Sequence, residues 1–339
     1  MMGLGLIILS VLLAAGAYFL APDASPNANR IILEIGGQKP GFSQQFLLLK
    51  KQQVQQISAF EKLIEGRPDA IEYIPITSWQ QKGDSVYADK YVDEGVTERL
   101  VYATASLESP FAQTRTFWLG TDKYGRDILS RLIVGTRVSL GVGLVTVIIS
   151  LSLGITLGAV AGYFRGRTDD VVMWLINVVW SIPTLLLVFA ITLILGKGFW
   201  QVFIAVGLTL WVNVARLVRG QVLAARELQY VEAAKTLGYS STRIIVRHIL
   251  PNIFGPVLVI AAGNFASAIV IEAGLSFLGV GVQPPQPSWG LMIKENYNFI
   301  ITQNPALALA PGFAIMLLVL AFNLLGNGLR DALNVREKV

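Results

Sequence analysis

The chain has 339 residues, 53% of them hydrophobic and 14% charged, with a formal net charge of +5. A soluble domain of this size carries about 25% charged residues, so the deficit and the mean hydropathy of +0.58 exclude an ordinary soluble globule. The absence of cysteine excludes a disulfide framework and a thiolate metal site. The basic residues lie at the ends of apolar runs rather than on a face with reading or stacking residues, which argues against nucleic-acid binding.

The first apolar run, Gly3 to Ala21, has the length needed to cross a hydrocarbon core of about 30 Å. Met1-Met2-Gly3 lacks the basic start of a signal peptide, so residues 1–21 are expected to form an uncleaved first transmembrane helix. Residues 22–117 contain no spanning run. Within them Arg30–Ile35 and Ala70–Ile76 alternate like strands, and Lys51–Glu65 reads as an amphipathic helix. The segment is expected to be a small α+β insertion.

Five further apolar runs follow: Ser139–Phe164, Val171–Leu195, Trp200–Val218, Asn252–Val280 and Ala306–Leu325. With the first helix they predict six spans. Short loops on one side hold Arg165, Arg167, Arg216, Arg219, Arg226, Lys235, Arg243, Arg247, Arg330, Arg336 and Lys338, against Lys197 and Lys294 on the other. The richer side is cytoplasmic by the positive-inside rule, which puts both termini inside and residues 22–117 outside the membrane. Gly154, Gly158 and Gly162 recur every fourth position and clear one helix face for a neighbour. Pro183 and Pro256 are expected to kink the third and fifth spans.

The loop between spans four and five, residues 226–251, carries the most informative pattern. Glu232-Ala233-Ala234-Lys235-Thr236-Leu237-Gly238 reads as a short helix with small residues and a glycine stop. Ala233 and Ala234 offer a shallow surface to a protein groove, and Gly238 permits the positive-φ turn that ends the helix. A second amphipathic helix, Arg243 to Ile249, is closed by Leu250-Pro251. A helix lying on the membrane surface is the competing reading.

This pattern, E-A-A-x-x-x-G with L-P twelve and thirteen residues after the glycine, resembles the coupling loop of ABC importer permeases. One position departs: His248 stands where an apolar residue is often found, and Arg247-His248-Ile249-Leu250-Pro251-Asn252 is similar to the oligopeptide and dipeptide branch. Two more stretches resemble the C-type permease of peptide and nickel importers. The first is Leu119-Gly120-Thr121-Asp122-Lys123-Tyr124-Gly125-Arg126-Asp127 with Ser130-Arg131 and Gly135 to Leu140. The second is Leu275-Ser276-Phe277-Leu278-Gly279-Val280-Gly281 with Gln283-Pro284-Pro285 and Trp289-Gly290. The resemblance covers residues 118–334, the permease transmembrane domain, and leaves out the insertion and the cytoplasmic tail 335–339.

The resemblance implies an all-α membrane protein, with six transmembrane helices of the type I ABC importer permease architecture carrying the α+β insertion after helix 1. It further implies a second homologous permease subunit, two ATPase subunits and an extracytoplasmic solute-binding protein as partners, besides the lipid bilayer. Residues Glu232, Ala233, Ala234, Gly238, Leu250 and Pro251 would contact the ATPase. No G-x-x-x-x-G-K-[ST] motif occurs, so ATP and Mg belong to the partner subunits, and this chain is expected to be a transport subunit without catalytic residues, metal or cofactor. Peptides or similar solutes are the expected cargo. Nickel chelates, opines and antimicrobial peptides are alternatives, and a multispan receptor is a less fitting class.

Three further features complete the reading. His248, the single histidine, is expected near a helix end, as a cation on the dipole or as a pH-sensitive group. Asp122, Arg126, Asp127 and Arg131 have i, i+4 spacing, read either as structural pairing on a solvated helix face or as an external contact for the binding protein. Glu272 is the acidic residue in the middle of a span, a costly placement that marks either a pathway contact or a gate hydrogen bond.

Overall fold

The computed structural model describes residues 1–51, 57–196, 198–301 and 304–334. In chain order, α1 (Met2–Ala15) and α2 (Ala17–Leu20) precede β1 (Phe42–Lys50), α3 (Ala59–Ile64) and four strands, β2 (Ile71–Lys82), β3 (Ser85–Asp93), β4 (Val96–Ala103) and β5 (Leu107–Phe117). Then come α4 (Ile128–Phe164), α5 (Gly166–Trp180), α6 (Thr184–Leu195), α7 (Phe199–Ala225), α8 (Gln229–Thr236), α9 (Ser241–Ile244), α10 (Phe254–Leu278), α11 (Trp289–Asn296) and α12 (Ala306–Asn334). These elements divide into two compact units. A helical unit holds Met1–Val11, Ser139–Gln283 and the chain from Ile315; a sheet unit holds Leu12–Val138 and Pro284–Ala314.

In the helical unit, four helices among the described residues are long and apolar enough to cross a membrane: α4, α7, the continuous stretch Ser241–Leu278 and α12. The centre is α7, whose most apolar window is 67% buried against 39%, 39% and 33% for the others. Close approach to α7 depends on the glycine repeat of α4. A Cβ on Gly154 would lie 2.4 Å from the Val214 Cβ, one on Gly158 2.5 Å from the Ala215 carbonyl oxygen, and one on Gly162 2.7 Å from the Arg219 carbonyl oxygen. Backbones in lipid associate by this kind of contact, because leaving hydrocarbon for hydrocarbon gains nothing.

The expected third span is not one helix. Helices α5 and α6 are apolar enough only as a pair and are bent by 92° around Ser181-Ile182-Pro183. Pro183 has no N–H to continue the ladder, and the Ser181 hydroxyl donates to the Val178 carbonyl at 2.8 Å. The expected kink at Pro256 is absent, because Pro256 falls in the first turn of α10, where its missing N–H is one of the unbonded donors anyway. The irregularity comes earlier, at Pro251. There the backbone widens to a π-turn over Ile245–Ile249 and tightens to a 3₁₀ turn over Leu250–Ile253. Proline removes one backbone bond and the ladder shifts register around it. The His248 carbonyl is instead bonded by the Asn252 side-chain amide at 2.6 Å. Leu250-Pro251 therefore does not end the second loop helix; it bends it into α10. Pro311, inside α12, has no counterpart in the sequence reading.

The sheet unit contains one antiparallel sheet of order β4-β3-β2-β1-β5. Strand β1 is buried on both faces, and its alternation follows the pleat. Leu47 joins Ile74, Ile76, Val86, Ala88 and Leu107, while Phe46 and Leu48 join Ile32, Ile35 and Phe117. The strand read at Ala70–Ile76 falls in β2, but Arg30–Ile35 is not a strand: it packs as a loop ending in a 3₁₀ turn at Leu33–Ile35. Of the helix read over Lys51–Glu65, residues 52–56 lie outside the described residues and only Ala59–Ile64 is helical, started by a Ser58/Glu61 capping box. The first apolar run is likewise broken, since α1 ends at Ala15 and α2 restarts at Ala17. Arg137 closes that break: it donates to the carbonyls of Ala14 (2.6 Å), Ala15 (3.1 Å), Leu63 (2.9 Å) and Ile64 (2.9 Å), satisfying the C-terminal ends of α1 and α3 together.

Candidate functional site

The loop after α7 is built from two different surfaces. Val231 and Ala234 of α8, with Ile244, Ile245, Ile249 and Ile253, pack into a core with Ala159, Tyr163, Val214, Val218 and Val222 of α4 and α7. Ala234 is therefore buried, and the shallow surface expected of both alanines is presented by Ala233 alone. Leu250 packs partly against the same core. Glu232, Gly238 and Pro251 face outward, and so do Leu237 at 70% and Val246 at 54% exposure.

Gly238 ends α8 with φ +76°. The Tyr239 N–H donates to the Ala234 carbonyl at 3.2 Å and the Gly238 N–H to the Lys235 carbonyl at 2.9 Å, the paired bonds of a Schellman cap. A Cβ at Gly238 would meet no atom within 4 Å, so glycine is required there by conformation rather than by space. After the cap the Ser240 hydroxyl accepts from the Arg243 N–H and starts α9. Tyr239 then closes the loop on itself: His248 stacks on it at 5.7 Å, and the Arg243 guanidinium lies over the ring at 4.0 Å. Sequence reasoning missed Tyr239, whose only signal is an aromatic directly after the glycine stop. His248 belongs to this stack, on the π-turn, and not to a regular helix end.

Glu272 is 1% exposed on α10. Its Oε1 accepts from the Ser276 hydroxyl at 2.6 Å, and the Ser276 oxygen accepts from the Val282 N–H at 3.0 Å. Glycine makes this turn possible: Gly279 has φ +84°, and a Cβ on Gly281 would lie 2.4 Å from the Ser276 nitrogen. Glu272 thus anchors the Leu275–Gly281 motif. Asn264, one helical face away, donates to the Ser150 hydroxyl and the Leu210 carbonyl, both at 3.3 Å. Arg216, counted with the loop basic residues, lies inside α7, where its guanidinium stacks 3.5 Å from the Trp180 ring at the α5–α6 break.

The group Asp122, Arg126, Asp127 and Arg131 is neither helical in its first part nor solvated. Helix α4 begins at Ile128, and the four side chains are 0%, 3%, 6% and 1% exposed. Asp122 Oδ1 accepts from the N–H groups of Tyr124 (2.9 Å) and Arg126 (3.0 Å), and Oδ2 accepts from Arg126 Nε (2.6 Å). Arg126 also donates to Glu295 at 2.7 Å, and Arg131 to the same carboxylate at 3.4 Å. The expected i, i+4 pairing is present between Asp122 and Arg126, but the role as an exposed contact is corrected: Asp122, Arg126, Arg131 and Glu295 form a buried ion network because the turn folds in on itself. Asp127 is bonded instead by Ser130 at the start of α4. Gly120 and Gly125 permit that fold, since a Cβ at Gly125 would lie 1.7 Å from the Ile32 carbonyl oxygen. Glu295, the network's second carboxylate, was missed because its partners lie far away in sequence.

Residues 154–339 match the family described as the binding-protein-dependent transport system inner membrane component. The chain belongs to this family. It is 42% identical over 221 residues to a glutathione transport system permease of Pectobacterium atrosepticum, covering 65% of this chain and 73% of that one. It is 38% identical over 237 residues to an oligopeptide transport system permease of Bacillus subtilis, covering 70% and 77%. It is 36% identical over 287 residues to a dipeptide transport system permease of Alkalihalophilus pseudofirmus, covering 80% and 94%. Among solved structures, a chain of the inward-facing MetNI methionine ABC transporter shares the fold with a TM-score of 0.50 at 18% identity, over 60% of this chain and 97% of that one. The permease is a membrane transport subunit, and its docked loop with an outward apolar edge lies within the matched region.

Proposed function

We propose that this permease forms half of the translocation pathway of an ATP-driven importer for peptides, and couples it to a cytoplasmic ATPase through residues 226–251. The observation that carries the coupling role is the outward edge of the loop: Glu232, Ala233 and Leu237 are exposed on a helix whose other face is packed into the α4–α7 core. Force applied to such an edge passes through the shared core, by way of Ile244, Ile245 and Ile249, to α4 and α7. Peptide cargo rests on the relatives named for oligopeptide and dipeptide transport. The second permease subunit, the paired ATPases that bind ATP and Mg, and the extracytoplasmic solute-binding protein complete the machine. In this reading α1–α2 and the bent α5–α6 pair each count as a span. The six-span arrangement then has both termini inside and residues 22–117 outside.

The chain has no cysteine, so single-cysteine variants report without background. Leu237→Cys and Ala233→Cys are expected to crosslink to the ATPase subunit in membranes, and the yield is expected to change with bound nucleotide. Uptake of a labelled dipeptide into proteoliposomes holding the full complex tests the cargo. Absence of crosslinking at both positions would remove the coupling role, whereas crosslinking without dipeptide uptake would leave coupling intact and replace the cargo.

A further inference from the structure

The sheet unit encloses a cavity of about 270 Å³ bounded by Asp23, Arg30, Phe46, Tyr73, Arg115 and Asp127. This is at the small end of ligand pockets, which run from about 300 to 1,000 Å³. Its walls combine aromatic faces with charges of both signs. Arg30 and Arg115 both lie over the Tyr73 ring, 4.1 and 4.2 Å from its centroid. Arg30 is already neutralised: Asp69 takes it by two bonds and Asp23 lies 3.3 Å away. Arg115 is not. Its one side-chain bond goes to the neutral Tyr73 hydroxyl at 2.7 Å, and among the described residues no carboxylate forms an ion pair with it. Burial, reinforced by the neighbouring Arg30 charge, pushes its basicity down, with Tyr73, Asp23 and Asp69 opposing.

The opposite charge is also incompletely used. Asp127 Oδ2 is bonded by the Ser130 N–H at 2.9 Å and by the Ser130 hydroxyl, whose oxygen in turn accepts from the Asp23 N–H at 2.8 Å. Asp127 Oδ1 is buried and has no hydrogen-bond partner among the described residues. Burial pushes this carboxyl above its ordinary value, with Ser130 opposing and Asp23 adding to the rise. An unpartnered buried acceptor is costly, and the half-buried Arg115 is a cation without an ion pair among the described residues; both residues border one cavity.

We propose that this cavity binds a small zwitterion of amino-acid to dipeptide size, its carboxylate on Arg115 and its ammonium group on Asp127 Oδ1, with Phe46 and Tyr73 as the apolar walls. A simple anion would meet the carboxylates of Asp23 and Asp127, and a simple cation would meet Arg30 and Arg115. A ligand carrying both charges satisfies both sides. The site lies wholly within the sheet unit and stands whether or not the transported solute is a peptide.

The test is calorimetry on the assembled transporter in lipid nanodiscs, without the solute-binding protein, using alanyl-leucine and free leucine as probes. One of the two is expected to bind saturably at one site per chain. Arg115→Gln and Asp127→Asn, the latter keeping a competent helix cap, are each expected to weaken binding at least tenfold. The readout specific to the site is the pattern with capped analogues. Arg115→Gln should abolish the preference for the free carboxylate over the amide-capped form, and Asp127→Asn the preference for the free amine over the acetylated form. Absence of saturable binding, or affinity unchanged in both variants, overturns the assignment. Should a variant fail to assemble, the wild-type protein decides: capped analogues that bind as well as the zwitterion overturn the proposal.

Discussion

Two charged motifs of this permease look alike in sequence and are opposite in structure. The turn from Leu119 to Arg131 buries Asp122, Arg126 and Arg131 together with Glu295, while the loop from Gln229 to Pro251 turns Glu232, Lys235 and Arg247 outward and buries its aliphatic face. In the first, charges hold a fold whose backbone reverses at Gly120 and Gly125. In the second, apolar groups hold the loop down and leave an edge free. Charge in a motif is therefore no guide to accessibility; the test is whether the backbone curls around the side chains or presents them.

Variants sharpen this contrast, and the largest effect is expected in the buried turn. Arg126→Ala removes the closer of the two guanidiniums that meet Asp122 and Glu295 and is expected to cost about 3–5 kcal/mol, the usual loss when one partner of a buried pair is removed. Membrane yield and the thermal midpoint of the detergent-purified permease measure it, and a midpoint equal to wild type would mean that the turn is solvated after all. Gly158→Val forces a side chain against the Ala215 backbone and is expected to cost about 1–3 kcal/mol by overpacking, read in the same melt. A neutral result would separate α4 from α7.

In the outward loop, effects on folding should be smaller and effects on coupling larger. Gly238→Val places a β-branched residue at φ +76°, a strain of about 1–2 kcal/mol, with no clash to add to it. It should insert normally yet lose solute-stimulated ATP hydrolysis, whereas Gly238→Asn should retain more, since asparagine tolerates this conformation. Equal stimulation in wild type and Gly238→Val would uncouple the cap from coupling. Glu232→Lys reverses a charge at the start of α8, and the same assay should show a partial loss. The smallest effect is expected at Glu272→Gln, which preserves the bond to Ser276. Uptake of free and amino-capped peptides should fall equally or not at all, and a selective loss for the free amine would make Glu272 a pathway contact.

Much of the helical unit was legible because its signals are local. Apolar length marked α4, α7, α10 and α12, the four-residue glycine spacing marked the α4 face that meets α7, and the glycine after Glu232-Ala233-Ala234 marked the end of α8. Proline was only half legible. Pro183 stands at the N-cap of α6, at the 92° break, whereas Pro256 lies in the first turn of α10 within a stretch that continues unbroken.

By itself the sequence determined what depends on spacing and composition: membrane residence, the positions of the long helices and the helix–glycine–helix pattern of the loop after α7. Tertiary structure decided everything that depends on which distant residues meet. It turned the i, i+4 charges of Asp122 and Arg126 inward toward Glu295, buried Ala234 while exposing Ala233, stacked Tyr239 between Arg243 and His248, and folded Arg30–Ile35 over a sheet instead of into it. The physical reason is that propensity and periodicity act over a few residues, whereas a buried charge or an aromatic stack takes its energy from partners that only the closed chain supplies.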